Sequence, residues 1–172
     1  MLKFIIRASA ATSLAIASAV FVLPLSADAT HAGRSLMLSK TCGGSTMKIT
    51  CAPGSAQCKQ TVLSLTTGDG AKMNPATPKG LEKYTAIGLQ CTKSKDGDAY
   101  FYAQYGERPR GCEFCEWFAI YDSHGKLLTN NDPPILRDTT LPPAQQMSPN
   151  NNEFETVSDK LGLQKVDIDL IQ

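Results

Sequence analysis

Long hydrophobic runs are absent from this sequence beyond its first 29 positions. A membrane-spanning helix takes about 20 predominantly apolar residues, so we expect no membrane insertion after that point. Histidine is scarce, with only His31 and His124, and neither a glycine-rich phosphate loop nor a His-Glu-x-x-His motif occurs. The sequence therefore predicts no cofactor, no metal site and no catalytic residue that a motif could identify.

An excess of charge of one sign is also lacking. Lys and Arg number 17 against 16 for Asp and Glu, which gives a net charge of +1. The basic residues are scattered, and the nearest approach to a cluster, Lys93 with Lys95 and Arg108 with Arg110, is typical of solvated turns. Because nucleic-acid binding depends on neutralising many phosphates, we expect no nucleic-acid partner.

The N-terminal residues show the three zones of a secretory signal peptide. Lys3 and Arg7 give a positive start, an apolar stretch follows, and Ala27-Asp28-Ala29 forms a small-x-small cleavage site. The alternative is a membrane-spanning helix, but the apolar stretch is short and rich in Ala and Ser. We predict that residues 1–29 are removed and that 30–172 form a single small β-rich domain in the periplasm or outside the cell.

Six cysteines lie beyond the predicted cleavage point: Cys42, Cys51, Cys58, Cys91, Cys112 and Cys115. An even count behind a signal peptide predicts disulfide bonds, because an oxidising compartment favours pairing. The sequence does not choose among the 15 pairings that six cysteines allow. The local bridge that we expect is Cys51–Cys58, since a short turn could hold their strands side by side.

Cys112 and Cys115 form a C-x-x-C motif. Redox enzymes place this motif at the start of a helix, which favours the reactive thiolate. Here a β-prone aromatic stretch follows it, and the acidic neighbours Glu113 and Glu116 oppose a thiolate. Structural zinc needs four ligands, usually as two close pairs, and the other cysteines supply no second pair. We therefore expect both cysteines to be structural.

Alternating apolar and polar residues predict a mainly β (α+β) fold, a small antiparallel sheet or sandwich of hairpins. Met47, Ile49 and Cys51 share one face of the first clear strand. Asp96-Gly97 predicts a hairpin through a type I′ turn, followed by an aromatic strand. A further strand approaches the turn at Asp122–Gly125.

The C-terminal part changes character at Asn130. Half of the prolines fall in 130–151, which we expect to be an irregular loop. A helix is predicted over about 152–161, capped by Asn152 with Glu155 and ended by Gly162. Alternation at Val166, Ile168 and Leu170 then predicts a last strand.

The sequence favours a non-catalytic binding protein, such as an inhibitor, an immunity-type protein or an accessory subunit. Its partner would be another envelope or secreted protein. Tyr100 and Tyr102 are the candidate partner-binding pair if they point outward, since tyrosine supplies contact area at low entropic cost. A helix or the proline-rich segment could instead cover that face. The alternative function is a small envelope hydrolase in which His124 and carboxylates converge only in the folded chain.

Overall fold

The computed structural model describes residues 37–107 and 116–171, and the structural statements below concern these residues. The predicted leader, 1–29, and the Cys112–Cys115 motif lie outside them. In chain order the elements are β1 (Met37–Cys42), β2 (Ser45–Cys51), β3 (Thr61–Thr66), β4 (Lys72–Met73), β5 (Thr85–Lys93), β6 (Ala99–Gly106), β7 (Trp117–Asp122), β8 (Ile135–Arg137), β9 (Met147–Pro149), α1 (Asn152–Leu161) and β10 (Asp169–Leu170).

Strands β1 to β4 form an antiparallel sheet, here called sheet A, in the order β1-β2-β3-β4. Gly43 and Gly44 connect β1 to β2, and both have positive φ (57° and 82°), as a two-residue hairpin turn requires. Alternation along β2 buries Met47 and Ile49 and leaves Lys48 exposed. Sheet A therefore has one apolar face and one face carrying mainly Ser, Thr and Lys.

A second antiparallel sheet, sheet B, has the order β10-β5-β6-β7. The predicted hairpin between β5 and β6 is present, but the type I′ turn is wrong. Gly97 has positive φ (91°) and Asp96 does not. Ser94 accepts two hydrogen bonds from this connection, one at its backbone O from the Gly97 N–H (3.0 Å) and one at its Oγ from the Asp98 N–H (3.1 Å). The connection is therefore longer than a two-residue turn, and Gly97 is its one residue in the left-handed conformation.

The apolar faces of the two sheets pack against each other. The largest fully buried side chains in this core are Trp117, Tyr121, Phe101, Met47, Ile49, Leu65, Leu81 and Leu89. Burying one such apolar side chain contributes about 1.5–3 kcal/mol. The predicted fold class, a mainly β protein of small antiparallel sheets with one helix near the C-terminus, is confirmed.

Two disulfides join the four cysteines that lie among the described residues. Cys42–Cys91 (S–S 2.02 Å) ties the end of β1 in sheet A to β5 in sheet B. Cys51–Cys58 (S–S 2.09 Å) closes the connection between β2 and β3, and it is the local bridge expected from the sequence. Cross-links of this kind stabilise mainly by restricting the unfolded chain.

The proline-rich segment is more regular than expected. Strands β8 and β9 pair over Ile135↔Pro149 to Arg137↔Met147, so the prediction of an irregular loop is wrong for these six residues. The pairing is anchored to sheet B, because the indole N–H of Trp117 donates to Pro134 O (2.6 Å). Four of the five prolines in this segment lie beside or between the two strands, where a missing N–H costs no hydrogen bond of the strand pairing.

Helix α1 runs over Asn152–Leu161, as predicted, but its N-terminal cap differs from the prediction. The cap residue is Asn151 rather than Asn152, and its side chain makes no cap hydrogen bond. That side chain instead accepts from the Phe118 N–H of β7 (2.9 Å) and donates to the O of Glu116, the residue before β7 (2.7 Å). Gly162 ends the helix in the left-handed conformation (φ 59°), as predicted.

The last strand is shorter than predicted. Only Asp169 and Leu170 pair with β5 as β10, whereas Val166 and Ile168 pack on the outer face of sheet B. Before β10 the chain is bound to β5 by a side chain and not by backbone pairing, since Gln90 Nε2 donates to Asp167 O (2.7 Å). This arrangement leaves the stretch free to form a wall beside helix α1.

Candidate binding groove

Helix α1 lies over the outer face of sheet B, away from the core between the sheets. Its apolar stripe, Phe154, Val157 and Leu161, packs with Tyr102 and Ile120 of that face. Spacing of three and four residues places these helical side chains on one side. The face bearing Tyr102 is therefore covered by the helix, one of the two arrangements that the sequence left open.

A groove remains between helix α1 and the segment that leads to β10. Its volume is about 470 Å³. We call it the helix groove, and its lining residues are Tyr102, Phe118, Phe154, Glu155, Ser158, Asp159, Lys165, Val166 and Ile168. The lining is mainly aromatic and aliphatic, which is typical of small concave binding sites.

The aromatic floor of the helix groove is held by direct contacts. The Tyr102 and Phe154 rings meet edge to face with centroids 5.0 Å apart, and the Phe118 and Phe154 centroids lie 5.3 Å apart. The hydroxyls of Tyr102 and Ser158 are hydrogen-bonded at 2.9 Å. These contacts fix the floor to the helical wall before any ligand binds.

The opposite wall is fixed to β5. Thr92 Oγ1 donates to Gln164 O (2.8 Å), and the Ile171 N–H donates to Ile87 O (2.8 Å). The absence of a side chain at Gly88 allows Ile168 to pack closely against β5, since a Cβ at this position would lie 2.7 Å from Ile168 Cγ2. Both walls of the helix groove are therefore held in place by contacts within the protein.

Charges stand at the rim of the helix groove. Glu155 and Asp159 are four residues apart on the same helix, so they lie on one side of it. Lys165 belongs to the opposite wall. The groove can therefore accept an apolar group with a positive charge beside it, with that charge near Glu155 and Asp159.

The two tyrosines selected from the sequence occupy different environments. Tyr102 is 4% exposed and forms part of the groove floor, whereas Tyr100 is half-buried. Burial, with Asp98 and Asp122 nearby, raises the pKa of Tyr100 above its ordinary value. Neither ring is fully exposed. That Tyr100 and Tyr102 contact a partner stays a prediction.

Sequence reasoning missed most of the groove. The alternating pattern at Phe118, Val166 and Ile168 predicts strands with two faces, but it does not show what covers the outer face. The sequence features nearest to the groove were therefore structural, namely the apolar face of the helix with Phe154 and the alternation at Val166 and Ile168.

A second groove, the polar groove, has a volume of about 540 Å³. Its lining includes Thr61, Thr85 and Tyr84 together with Lys59, Lys83, Glu82 and Glu107. Basic and acidic side chains are balanced there, and few apolar groups line it. This groove offers little apolar area on which a ligand could be buried.

His124 lies in an exposed turn between β7 and the segment that follows it. Its backbone N–H donates to Asp122 Oδ1 (2.9 Å), and its Nδ1 lies 3.4 Å from Ser123 Oγ. Asp69 is a charged neighbour, and hydrogen bonds from Thr67 and Ala71 lower its pKa. His124 lines neither of the two grooves described above.

Among the described residues, no helix is long and apolar enough to cross a membrane. Within the same residues, no group of three or more His, Cys, Asp or Glu side chains could hold a metal ion. Comparison with protein-family models, curated proteins and solved structures found no match to this chain.

Proposed function

We propose that the chain is exported and acts in the periplasm or outside the cell as a non-catalytic protein that binds another envelope or secreted protein. The signal-peptide pattern at 1–29 and the two disulfides support export, because such bonds persist in oxidising compartments. The helix groove is the proposed contact site.

The observation that carries the proposal is an apolar groove whose floor and walls are held by contacts within the protein. A volume of about 470 Å³ accommodates one or two large side chains of a partner. Buried aromatic anchors in such pockets contribute most of the binding energy in protein interfaces. Since floor and walls are preorganised, little ordering free energy is spent on binding.

The proposed ligand is an exposed partner segment that inserts an aromatic or large aliphatic side chain next to Lys or Arg. The apolar side chain would contact Phe118 and Phe154, and the basic neighbour would face Glu155 and Asp159. The alternative, a hydrolase using His124, has less support because His124 lies outside both grooves and its nearest acceptors are within its own turn.

Selection from a phage-displayed random peptide library tests this assignment. The target is the oxidised product of the full-length gene, purified from the periplasm of a bacterial host after export. We expect enriched peptides to carry an aromatic or large aliphatic residue beside Lys or Arg. The double variant Glu155→Lys, Asp159→Lys should bind these peptides at least about tenfold more weakly, because it reverses the rim charge.

The matched control is Glu82→Lys with Glu107→Lys, which makes the same charge change in the polar groove. Its affinity for the selected peptides should equal that of the wild type. Peptides without the expected pattern, or peptides that lose affinity in the control and not in the helix-groove variant, would show that the helix groove is the wrong site.

A further inference from the structure

Strand β1 is an edge of sheet A, and its outer hydrogen-bonding side is open among the residues that the structure describes. Cys42↔Ser45 closes the two-residue hairpin turn, and hydrogen-bonded and non-hydrogen-bonded pairs alternate from there. The N–H and C=O groups of Met37, Ser39 and Thr41 therefore point away from β2. Within the described part of the chain, these groups have no backbone partner. We call these three residues the β1 edge.

The long strands of sheet B are covered at their outer sides. The outer side of β7 is met by the Leu128 N–H, which donates to Ile120 O (2.8 Å), and by Thr129 Oγ1, which accepts from the Ile120 N–H. The outer side of β5 is met by β10 and by the Gln164 N–H, which donates to Lys93 O. The far edge of sheet A, β4, is only two residues long. The β1 edge, in a strand of six residues, has no such cover among the described residues.

We propose that the β1 edge pairs with β1 of a second copy of this chain, antiparallel and with the two-fold axis at Ser39. This register places Ser39 opposite Ser39 and Met37 opposite Thr41. All three residues then form hydrogen-bonded pairs, so the seam contains about six backbone hydrogen bonds and joins the two copies of sheet A into one. Met37, which is 52% exposed, gains cover from Thr41 of the second copy.

The charges around the β1 edge permit this pairing. The three edge residues are uncharged, and the one charged residue of β1, Lys40, is on the other face and is ion-paired with Asp169. Lys48 lies one strand in, so the two copies of Lys48 are separated by three strand spacings, about 14 Å. That distance exceeds the Debye length of about 8 Å at physiological salt.

The net charge of the chain favours a second copy as the occupant. The full sequence carries +1 with a pI of about 7.6, and 15 basic and 15 acidic residues remain once residues 1–29 are removed, so two exported copies do not repel each other near neutral pH. Edge strands are usually protected against this pairing by charges, proline or bulges. The three edge residues carry none of these devices.

Sedimentation velocity of the exported, oxidised product, from micromolar to near-millimolar concentration, tests the proposal. We expect the mass to rise reversibly from monomer to dimer as the concentration increases. Ser39→Pro should abolish the dimer, because it removes a seam donor while leaving the pairing with β2 intact. Circular dichroism and the melting curve establish that this variant is folded.

A second variant decides the outcome if the proline disturbs the fold. Ser39→Lys places two lysines directly opposite each other across the axis and should weaken the dimer by about fivefold. Ser64→Lys, on the same face but in β3, is the matched control and should leave the dimer unchanged. A wild type that stays monomeric at every concentration would overturn the proposal. A dimer that is as stable in both Ser39 variants as in the wild type would also overturn it, as would a β1 edge that pairs only with a strand of another protein.

Discussion

Two tyrosine hydroxyls meet inside the apolar core, and their hydrogen-bond order predicts unequal effects of removing them. The Tyr121 hydroxyl donates to Ala76 O (2.8 Å), and the two hydroxyl oxygens lie 2.7 Å apart. Each hydroxyl has one proton, so Tyr105 must be the donor to Tyr121. Both residues are buried, at 3% and 0% exposure.

Tyr105→Phe removes one hydrogen bond and leaves Tyr121 still donating to Ala76. We expect it to lower the free energy of unfolding by about 0.5–1.5 kcal/mol. Tyr121→Phe leaves the buried Tyr105 hydroxyl without its acceptor, which should cost about 1–3 kcal/mol. Ala76 is exposed, so water can replace its lost donor. The double variant should cost less than the sum of the two, because no hydroxyl is then left unpaired.

Urea denaturation at pH 7 measures all three variants. The reasoning would be refuted if Tyr105→Phe cost as much as Tyr121→Phe, or if the two effects were additive. Either result would mean that the hydroxyls are not ordered as Tyr105 to Tyr121 to Ala76.

The same pair predicts a loss of stability at alkaline pH. Burial raises the pKa of Tyr105 to about 12, and burial also raises the pKa of Tyr121. The unfolded chain has a tyrosine pKa of about 10, so it releases protons first. The stabilisation is complete below pH 10 and is lost as the pH rises through the folded pKa, by roughly 3 kcal/mol for Tyr105 alone. Between pH 10 and 12 the wild type should therefore lose stability more steeply than Tyr105→Phe, and parallel curves would contradict this.

Three further predictions concern the helix, the disulfides and the leader. Phe154→Ala should lower the free energy of unfolding by about 1–3 kcal/mol, less than for a fully buried ring because Phe154 is half-buried; a urea midpoint unchanged from wild type would contradict its docking. Cys51 and Cys58 should resist alkylation in denatured, unreduced protein, and peptide mapping that finds either one labelled would refute their bridge. Intact mass of exported protein should correspond to a chain beginning near Thr30, and retention of residues 1–29 would count against the proposed compartment.

Features set by neighbouring residues could be predicted from the sequence. The bounds of helix α1 follow from its apolar stripe and from Gly162, which stops it in the left-handed conformation. The Cys51–Cys58 bridge is likewise local, since its partners are seven positions apart.

Features set by distant contacts could not be predicted. Asn151 rather than Asn152 is the cap residue of the helix, and its side chain binds the backbone of Glu116 and Phe118. Strands β8 and β9 pair in a proline-rich segment that is anchored to Trp117, far away in sequence. The helix groove joins side chains from β6, β7, α1 and the C-terminal segment, and no local pattern brings these together.

The most direct test of the proposed function is a map of where an apolar, basic peptide binds. The probe is a capped tetrapeptide with Phe next to Arg, added at millimolar concentration to isotope-labelled, oxidised protein and followed by NMR. We predict that the chemical-shift changes concentrate at Tyr102, Phe118, Phe154 and Ile168, and that a peptide with Glu in place of Arg causes much smaller changes. Changes centred on the polar groove around Tyr84, or equal changes with both peptides, would contradict the helix groove as the binding site.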